Sequence, residues 1–249
     1  FNPATGEKLT TSYPISDHEE INEILEAGGQ AAAELRQVPT EKIAAFLNGY
    51  ADAIDAAAAE LAEIAATETG LPVAPRLTAV EIPRTTGQLR QAAVAAVSED
   101  WTQPVIDTAN GLRSRLESLG KPVLVIGPNN FPFAFNGVSG GDFAAAIASG
   151  HAVIAKAHPA HPGTSKRLAE LALTALDVAG LPAATLQLFY HLDAEVAASL
   201  CGDPRLGAIG FTGSEATGRK IKAAADAAGI PAYLEMSSIN PVAFLPGAM

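Results

Sequence analysis

The chain contains little of several residue types that would point to particular classes of protein. It has one cysteine, Cys201, among 249 residues, so no disulfide can form within it, and no Cys/His cluster has the spacing of a zinc site. No run of about 18 apolar residues suggests a transmembrane helix, and the first residues lack the basic and apolar regions of a signal peptide. These absences are compatible with a reducing compartment, and we expect a cytoplasmic protein without a membrane span.

Basic residues are also scarce. There are 16 lysines and arginines against 27 acidic residues, which gives a formal net charge of −11. Proteins that bind nucleic acid normally present a basic face, so DNA and RNA are not expected partners. A nucleotide cofactor remains compatible with this charge, because one local cation and the N-terminus of a helix are enough to hold a phosphate. The GxGxxG fingerprint of many dinucleotide-binding proteins does not occur.

The first hundred residues have the periodicity of helices. Asp17 and Glu20 form a capping box before an apolar stripe that repeats at helical spacing. A second, long helix is predicted from Thr40 to about Thr67, and a third from about Pro75 to Val97. Residues 101–120 differ, because an Asn-Gly turn followed by alternating polarity predicts the two strands of a small arm.

From Lys121 onward, strand, turn and helix patterns alternate. Strands are predicted at 123–126, 151–155, 186–189, 206–211, 233–235 and 242–245, and helices at 137–149, 162–180, 194–201 and 214–227. Such alternation indicates a parallel sheet with crossover helices. We therefore predict an α/β fold with a Rossmann-like parallel sheet and flanking helices over 122–249, preceded by an N-terminal helical segment, 1–100, and an arm, 101–121. Ligands of such sheets bind beyond the carboxyl ends of the strands, which here are 127–133, 156–161, 211–214 and 235–240.

Two of these strand ends have features of a phosphate or ribose site. Phe211-Thr212-Gly213-Ser214 follows a strand and opens a helix, where free N–H groups and the helix dipole favour an anion. An ordinary glycine turn with a serine cap would have the same sequence. Lys156 follows another strand and could contact a phosphate or ribose hydroxyls, although a solvated lysine in a proline-rich turn is the alternative.

The other two strand ends carry groups suited to catalysis. Asn130 could donate its amide N–H to an oxyanion, but asparagines in turns commonly bond the backbone. Glu235 could act as a base beside a pocket, or could be an edge-strand carboxylate that faces water. Cys201 lies at the end of a short helix with nothing nearby in sequence to activate a thiolate, so we interpret it as a buried, inert cysteine.

Taken in order, these segments resemble the aldehyde dehydrogenase superfamily. Its pattern has Asn-Phe-Pro after a strand, then a strand that ends in lysine, then Phe-Thr-Gly-Ser with a glycine four residues after the serine, and then Leu-Glu-Met. The matching residues here are Asn130-Phe131-Pro132, Lys156, Phe211 to Ser214 with Gly218, and Leu234-Glu235-Met236, and the opening Asn2-Pro3-Ala4-Thr5-Gly6-Glu7 is similar as well. The resemblance covers essentially the whole chain.

The resemblance implies a role for each motif. Asn130 would hold the oxyanion of the tetrahedral intermediate, and Glu235 would activate water for thioester hydrolysis. NAD or NADP would be bound by Lys156 at the adenosine ribose, by Gly213 and Ser214 at the pyrophosphate, and by Asn129, His158, Gly218 and Met236 elsewhere in the cofactor site. The arm would serve oligomerisation, so a homodimer or homotetramer is expected. A small-molecule aldehyde would be the substrate.

The chain departs from the family pattern in ways that bear on activity. The family nucleophile is a cysteine some tens of residues beyond the glutamate, but the chain ends 14 residues after Glu235. We therefore expect the N-terminal, cofactor-binding half of an enzyme, without its catalytic domain and inactive alone. The missing initiator methionine and the abrupt end also lead us to expect a trimmed chain. Ser237 replaces the usual glycine after the glutamate motif, and Asn129 replaces a common tryptophan.

The cofactor preference depends on Pro159, which stands where many NAD-preferring members carry a ribose-binding glutamate. Loss of that carboxylate removes a repulsion against a 2′-phosphate, and His158, His161 and Lys166 are near in sequence, so we favour NADP or dual use. The stretches 156–164 and 238–241 are most similar to the branch that acts on 2-oxoglutarate semialdehyde and fatty aldehydes.

The predicted function is therefore NAD(P)-dependent oxidation of an aldehyde to a carboxylic acid through a cysteine thiohemiacetal, with this chain as the cofactor-binding half. A non-catalytic nucleotide-binding or assembly module of the same fold is the alternative. A reductase of acyl phosphates shares the fold, but the Phe-Thr-Gly-Ser and Leu-Glu-Met motifs argue against it.

Overall fold

The computed structural model of the chain describes residues 2–245 and 247. Four α-helices precede the main sheet: α1 (His18–Leu35), α2 (Thr40–Ala56), α3 (Ala58–Thr69) and α4 (Ile82–Ser98). A π-helical segment, Val73–Glu81, leads directly into α4. The capping box at α1 is confirmed in part, since the Asp17 carboxylate accepts from the Glu20 N–H at 3.0 Å.

The predicted single helix over 40–67 is wrong, because the chain breaks at Ala57 into α2 and α3. Ala57 leaves the helical conformation at φ −96° and ψ 10°, yet its N–H still bonds to Ala53 O and its carbonyl accepts from Leu61 N–H. Alanine has the highest helix propensity, so nothing in the Ala-rich sequence around this point signals a break. After the break, α3 packs against the helix Pro162–Ala179.

Two short strands, β2 (Val105–Asp107) and β3 (Leu112–Ser114), pair antiparallel and form the predicted arm. Gly111 in the connecting turn has φ +66°, a conformation that L-residues rarely adopt. The Asp107 carboxylate accepts from the backbone N–H groups of Ala109 and Asn110 and closes the turn. Most apolar side chains of this hairpin face outward: Val105, Ile106 and Leu112 are exposed.

The main sheet has five parallel strands in the order β6-β5-β4-β8-β9. The strands are β4 (Val123–Ile126), β5 (Val153–Lys156), β6 (Leu186–Phe189), β8 (Ala208–Gly213) and β9 (Ala232–Met236), while β1 (Ile15–Ser16) and β7 (His191–Leu192) form a separate parallel pair. The connecting helices are α5 (Gly141–Ala148), α6 (Pro162–Ala179), α7 (Ala194–Cys201) and α8 (Glu215–Ala228). The predicted Rossmann-like α/β fold is confirmed.

Helices cover both faces of this sheet, as a parallel sheet requires. Neighbouring strand residues point to opposite faces. Val125 belongs to a buried cluster that includes residues of α2, α4, α5 and α6, whereas Leu124 belongs to a second cluster that includes residues of α7, α8 and the start of α1. The helices of the first hundred residues therefore share a core with the sheet. The proposed domain boundaries at 100 and 121 remain a prediction, and residues 1, 246, 248 and 249 of the outer two ranges lie outside the described structure.

Two further predicted elements differ from the structure. The helix predicted from Gly137 begins only at Gly141, because residues 133–140 form tight turns in which Gly140 N–H bonds to Asn136 O at 2.7 Å. The strand predicted over Val242–Leu245 is wrong: the segment is irregular, and Val242, Phe244 and Leu245 are exposed. An apolar run forms a strand only where a neighbouring strand supplies hydrogen bonds, and none does so in the described part of the chain. No helix there is long and apolar enough to cross a membrane.

The turn after β4 depends on a glycine, which gives a first testable prediction. A Cβ atom at Gly127 would collide with the Phe135 carbonyl oxygen, and it would lie 3.2 Å from Asn136 Cα. Because backbone atoms cannot move aside easily, we expect Gly127→Ala to lower the free energy of unfolding by about 1–3 kcal/mol. Urea denaturation measures this change.

Gly49 provides the matched control. It lies in α2 with open space around its Cα, so Gly49→Ala should raise the free energy of unfolding by roughly 0.5–1 kcal/mol. Equal stability changes in the two variants would contradict the close approach at Gly127.

Candidate functional site

The strand order reverses at one point of the sheet, and a cleft opens there. From β4 the chain builds outward through β5 and β6, then returns to place β8 on the other side of β4. Crossover connections therefore diverge to opposite faces between β4 and β8, and ligands of doubly wound sheets bind at such a reversal. A cleft of about 720 Å³ lies at the carboxyl ends of these strands, within the ~300–1,000 Å³ range of small-molecule sites.

The cleft joins all four strand ends selected from the sequence. Its lining includes Asn129 and Asn130 after β4, Lys156 and His158 at and after the end of β5, Gly213 and Ser214 at and after the end of β8, and Glu235 and Met236 at the end of β9. Of the predicted site residues, only Gly218 does not line it, because Met236 covers it: a Cβ at Gly218 would lie 2.6 Å from Met236 Sδ. Segments more than one hundred residues apart in the chain thus form one wall.

The N-terminus of α8 faces this cleft. Ser214 is its N-cap: the hydroxyl oxygen accepts from Thr217 N–H at 3.4 Å, and the hydroxyl lies 3.0 Å from Thr217 Oγ1. The cap predicted from sequence is confirmed. Gly213 serves a contact that was not predicted, since a Cβ there would lie 2.6 Å from the Phe211 ring. The ring packs against the turn, and Gly213, Ser214 and Thr217 at the start of α8 line the cleft, where the N-terminus of a helix suits an anion.

Lys156 ends β5 and is the only lysine or arginine among the residues that line the cleft. It is half-buried, and burial lowers the pKa of its ammonium group. Its Nζ donates to Ala157 O at 3.1 Å, which leaves further N–H donors for a ligand. Lys166, which the sequence placed nearby, lies on α6 and pairs instead with Glu170 at 3.8 Å.

His158 and His161 stack with ring centroids 5.3 Å apart. Burial, the neighbouring His161 and Lys156 lower the pKa of His158 to about 4, so its ring is neutral at pH 7. Its Nδ1 accepts from Ala160 N–H at 3.1 Å, which leaves the proton on Nε2 as a donor. Burial also lowers the pKa of His161, whose Nε2 lies 3.0 Å from Pro128 O and ties the turn after β4 to α6.

A buried glutamate holds the loop that carries Asn130. Glu81 is 0% exposed, and its Oε1 accepts from the N–H groups of Phe133 at 2.8 Å and Ala134 at 3.1 Å. Its Oε2 pairs with Arg76 Nη1 at 2.6 Å, and Arg76 Nη2 donates to the Asn130 carbonyl at 3.0 Å. The backbone of Asn130 is thereby fixed, while its side-chain amide has no hydrogen-bond partner among residues 2–245 and 247 and stays available to a ligand.

Glu235 lies on the edge strand β9 with its side chain exposed at the mouth of the cleft. It is paired in register with Thr212 of β8, and Gly210 lies on the same face two residues earlier. The carboxylate of Asp142 occupies the space over Gly210, where a Cβ would approach it to 2.9 Å. Partial burial, and then the charge of Glu235, raise the pKa of Asp142. The Glu235 carboxylate is therefore close enough to disfavour the ionised form of Asp142.

Cys201 lines the far end of the cleft but is buried, and burial raises its pKa to about 11. Its thiol is therefore protonated at neutral pH, and this outcome agrees with the prediction of an inert cysteine. No group of three or more His, Cys, Asp or Glu side chains suited to a metal ion occurs within the described ranges.

Sequence reasoning missed three residues that shape the site: Glu81, Arg76 and Asp142. Their contacts join parts of the chain that are remote in sequence, so no local spacing reveals them. One signal was available for Glu81, because a carboxylate between the apolar residues Val80 and Ile82 needs partners if it is buried.

A parallel sheet with helices on both faces and a cleft at the reversal of strand order defines a doubly wound α/β protein. Within this class, the sequence profile of the Aldehyde dehydrogenase family matches residues 1–248. The chain belongs to the aldehyde dehydrogenase family.

Similar proteins include enzymes named for semialdehydes. The chain is 38% identical over 260 residues to alpha-ketoglutaric semialdehyde dehydrogenase 2 of Azospirillum brasilense, covering 100% of this chain and 49% of that protein. Succinate-semialdehyde dehydrogenase from Burkholderia pseudomallei superposes with a TM-score of 0.81 at 26% identity, covering 95% and 47%. Glyceraldehyde-3-phosphate dehydrogenase GapN from Methanocaldococcus jannaschii, complexed with NADP, superposes with a TM-score of 0.80, covering 94% and 49%; at 24% identity it shows the fold alone. The chain spans about half the length of these relatives.

The depressed pKa of His158 predicts part of the acid sensitivity of the fold. The unfolded ring binds a proton near pH 6.5 but the folded ring only near pH 4, so the stability contribution is full above pH 6.5 and is lost as the pH falls toward 4. His158→Asn keeps an acceptor for Ala160 N–H. We expect it to reduce the loss of unfolding free energy between pH 7 and pH 4 by about 1–2 kcal/mol, less than the full shift implies because solvent screens a partly exposed ring.

Urea denaturation at a series of pH values tests this expectation. His18→Asn, at the exposed first residue of α1, is the control. It should lose as much unfolding free energy between pH 7 and pH 4 as the parent does. If His158→Asn lost the same unfolding free energy over this pH range as the parent, the neutral state assigned to the His158 ring would be contradicted.

Proposed function

We propose that this chain is the cofactor-binding half of an NAD(P)-dependent aldehyde dehydrogenase, and that the whole protein oxidises an aldehyde to a carboxylic acid. The observation that carries the proposal is the single cleft at the strand reversal. It brings together a helix N-terminus, a half-buried lysine, an unpaired asparagine amide and a carboxylate, four groups whose chemistry suits one dinucleotide and one carbonyl substrate.

The residues present fit a dinucleotide. The pyrophosphate would lie against Gly213 and Ser214 at the N-terminus of α8, where N–H groups and the helix dipole offset its charge. Lys156 would contact the adenosine ribose, and Asn129, His158 and Met236 would complete the cofactor site. Gly218 would contribute indirectly, because its missing side chain leaves room for Met236. The bound nicotinamide would supply the acceptor for the hydride that leaves the aldehyde carbon.

For the cofactor we favour NADP, or dual use of NADP and NAD. Pro159 lines the cleft beside His158 and carries no charge that would repel a 2′-phosphate. His158 would contribute a neutral Nε2–H donor rather than a cation, because its pKa is about 4.

Two residues would act at the aldehyde carbon. Asn130, with its backbone held by Arg76, would donate its amide N–H to the developing oxyanion. Glu235 would accept a proton from the water that hydrolyses the acyl intermediate. Cys201 does not suit the nucleophile's role, because it is buried and its pKa is about 11; in a protein of the relatives' length the nucleophilic thiolate would come from residues beyond this chain.

A non-catalytic nucleotide-binding or assembly module remains the second candidate. One observation favours it for the chain by itself: Cys201 is the sole cysteine of the sequence, and it is inert. A protein containing this chain that binds NADP+ but oxidises no aldehyde would support this candidate.

The arm would join copies of the chain. Val105, Ile106 and Leu112 of the hairpin are 58%, 71% and 64% exposed, and exposed apolar side chains on a two-stranded ribbon suit an interface with a partner. A homodimer or homotetramer would bury them.

Nucleotide binding by the chain itself is the direct test of the proposed function. Calorimetric titration should give tighter binding of NADP+ than of NAD+. Removal of the ammonium donor in Lys156→Ala should weaken both by roughly 10–100-fold, the value of a charge-assisted hydrogen bond. Lys42→Ala, at an exposed lysine of α2, is the matched control and should not change either affinity.

The preference itself is tested with Pro159→Glu. The new carboxylate should weaken NADP+ relative to NAD+ by about tenfold or more, because it repels the 2′-phosphate. Failure of the folded chain to bind either nucleotide would sink the cofactor assignment, and an unchanged ratio in Pro159→Glu would remove the argument for NADP.

The arm is tested by light scattering. Replacing Ile106 with Lys should reduce the mass toward that of a monomer, because a buried lysine without a partner opposes association. Val178→Lys, on an exposed position of α6, is the control. A monomeric parent chain, or a variant of unchanged mass, would contradict a role of the hairpin in assembly.

A further inference from the structure

Two arginines stack on two phenylalanine rings directly beside Asn130. The rings of Phe131 and Phe135 meet edge to face with centroids 5.1 Å apart. The Arg76 guanidinium carbon lies 4.5 Å from the Phe131 centroid, and that of Arg84 lies 4.9 Å from the Phe135 centroid and 5.8 Å from the Phe131 centroid. We call Arg76, Arg84, Phe131 and Phe135 the arginine–phenylalanine cluster.

The charges of the two arginines are compensated differently. Arg76 is paired with buried Glu81 and donates to Asn130 O. Arg84 has an exposed side chain at the start of α4. Within residues 2–245 and 247 it has no acidic partner within 4.0 Å and no hydrogen bond, and the aromatic faces are its contacts. The cluster with Glu81 therefore carries one uncompensated positive charge, in a chain whose net charge is −11.

The uncompensated guanidinium of Arg84 is suited to binding a carboxylate near the loop that carries Asn130. The Arg84 guanidinium carbon lies 5.8 Å from the ring of Phe131, the residue that follows Asn130. The positive charge is therefore near the loop that carries Asn130, within reach of a group several carbons from a carbonyl that Asn130 would hold. Guanidinium groups bind carboxylates through two parallel hydrogen bonds, and stacking on an aromatic face preorients the guanidinium plane. The phenylalanine rings offer an apolar surface for the methylene groups between the two ends of such a molecule.

We propose that Arg84 is a specificity-determining residue that binds the distal carboxylate of an aldehyde substrate, a semialdehyde with a short methylene chain. This inference rests on the proposed function. Arg76 does not share the task, because Glu81 neutralises it and it positions the backbone of Asn130. If Arg84 served only to cover the phenylalanine rings, it would need no anionic ligand, and adding a carboxylate would not change its contacts.

The test uses the chain itself and does not require catalysis. Glutarate is titrated into the ¹⁵N-labelled chain, and the amide resonances of Phe131 and Phe135 and the side-chain Nε–H resonance of Arg84 are followed; 1,5-pentanediol at the same concentration is the neutral probe. We expect saturable shifts with glutarate and none with the diol. Arg84→Gln should weaken glutarate binding about tenfold or more, and Arg84→Lys less, because it keeps the charge. Arg36→Gln, at an exposed arginine after α1, is the matched control and should not alter the titration.

The proposal is overturned if glutarate shifts none of these resonances, or if Arg84→Gln binds it as the parent does. A second measurement applies to a protein that carries this chain and oxidises aldehydes. There Arg84→Gln should lower kcat/KM for 4-oxobutanoate about tenfold or more and leave that for butanal unchanged. Equal losses for both aldehydes would make Arg84 structural. If neither aldehyde is oxidised, the proposed function fails, whereas the glutarate titration still decides the role of Arg84.

Discussion

The loop after β4 depends on a carboxylate that has no contact with water. Glu81 is fully buried and receives three donors, two backbone N–H groups and the Arg76 guanidinium. Removing a carboxylate from water costs several kcal/mol unless such donors replace the hydration shell. The arrangement therefore persists only while the π-helical segment, the loop at 130–134 and Arg76 keep their positions together. The position of the Asn130 backbone is fixed by these contacts, because Arg76 donates to its carbonyl oxygen.

Other contacts extend the same restraint across the loop. The buried Tyr50 hydroxyl of α2 donates to Val138 O at 3.1 Å, and the Asn136 amide donates to Pro132 O and Ser165 Oγ. The Tyr50 contact joins the loop to α2 and the Ser165 contact joins it to α6, while the Pro132 contact closes the loop on itself. The turn before it is tied to α6 through His161. A segment with no regular structure is thus held in place by hydrogen bonds to α2 and α6.

Much of the fold could be predicted because its signals are local. Residues that are close in sequence determine the helical periodicity, the caps at Asp17 and Ser214, and the alternation of strands and helices after residue 121. The four strand ends could be grouped into one cleft because parallel strands bring their carboxyl ends to one edge. The resemblance to a known family then assigned the four strand ends to one cofactor and substrate site. The roles of the individual residues in that site remain predictions.

The features that could not be predicted depend on tertiary contacts. The break at Ala57 follows from how α3 packs on α6, and alanine gives no sign of it. The strand expected over 242–245 lacks a partner, which hydropathy alone does not reveal. The coupling of Asp142 with Glu235 arises because Gly210 leaves room for a side chain from α5. The Arg76–Glu81 pair spans five residues, the spacing of a π-helical turn rather than of an α-helix.

The outer edge of β9 has a consequence for how the chain behaves at high concentration. Among the residues that the structure describes, no strand pairs with that edge. Tyr233 of β9 is 70% exposed, and Ile239 and Phe244 of the segment that follows β9 are 93% and 74% exposed. Open strand edges are templates for intermolecular pairing. The net charge of −11 opposes such pairing through repulsion between copies. At physiological ionic strength, salt largely screens that repulsion beyond about 8–10 Å. The colloidal stability of the chain is therefore set by ionic strength, with dilute salt favouring dispersed molecules and concentrated salt favouring sheet-to-sheet addition.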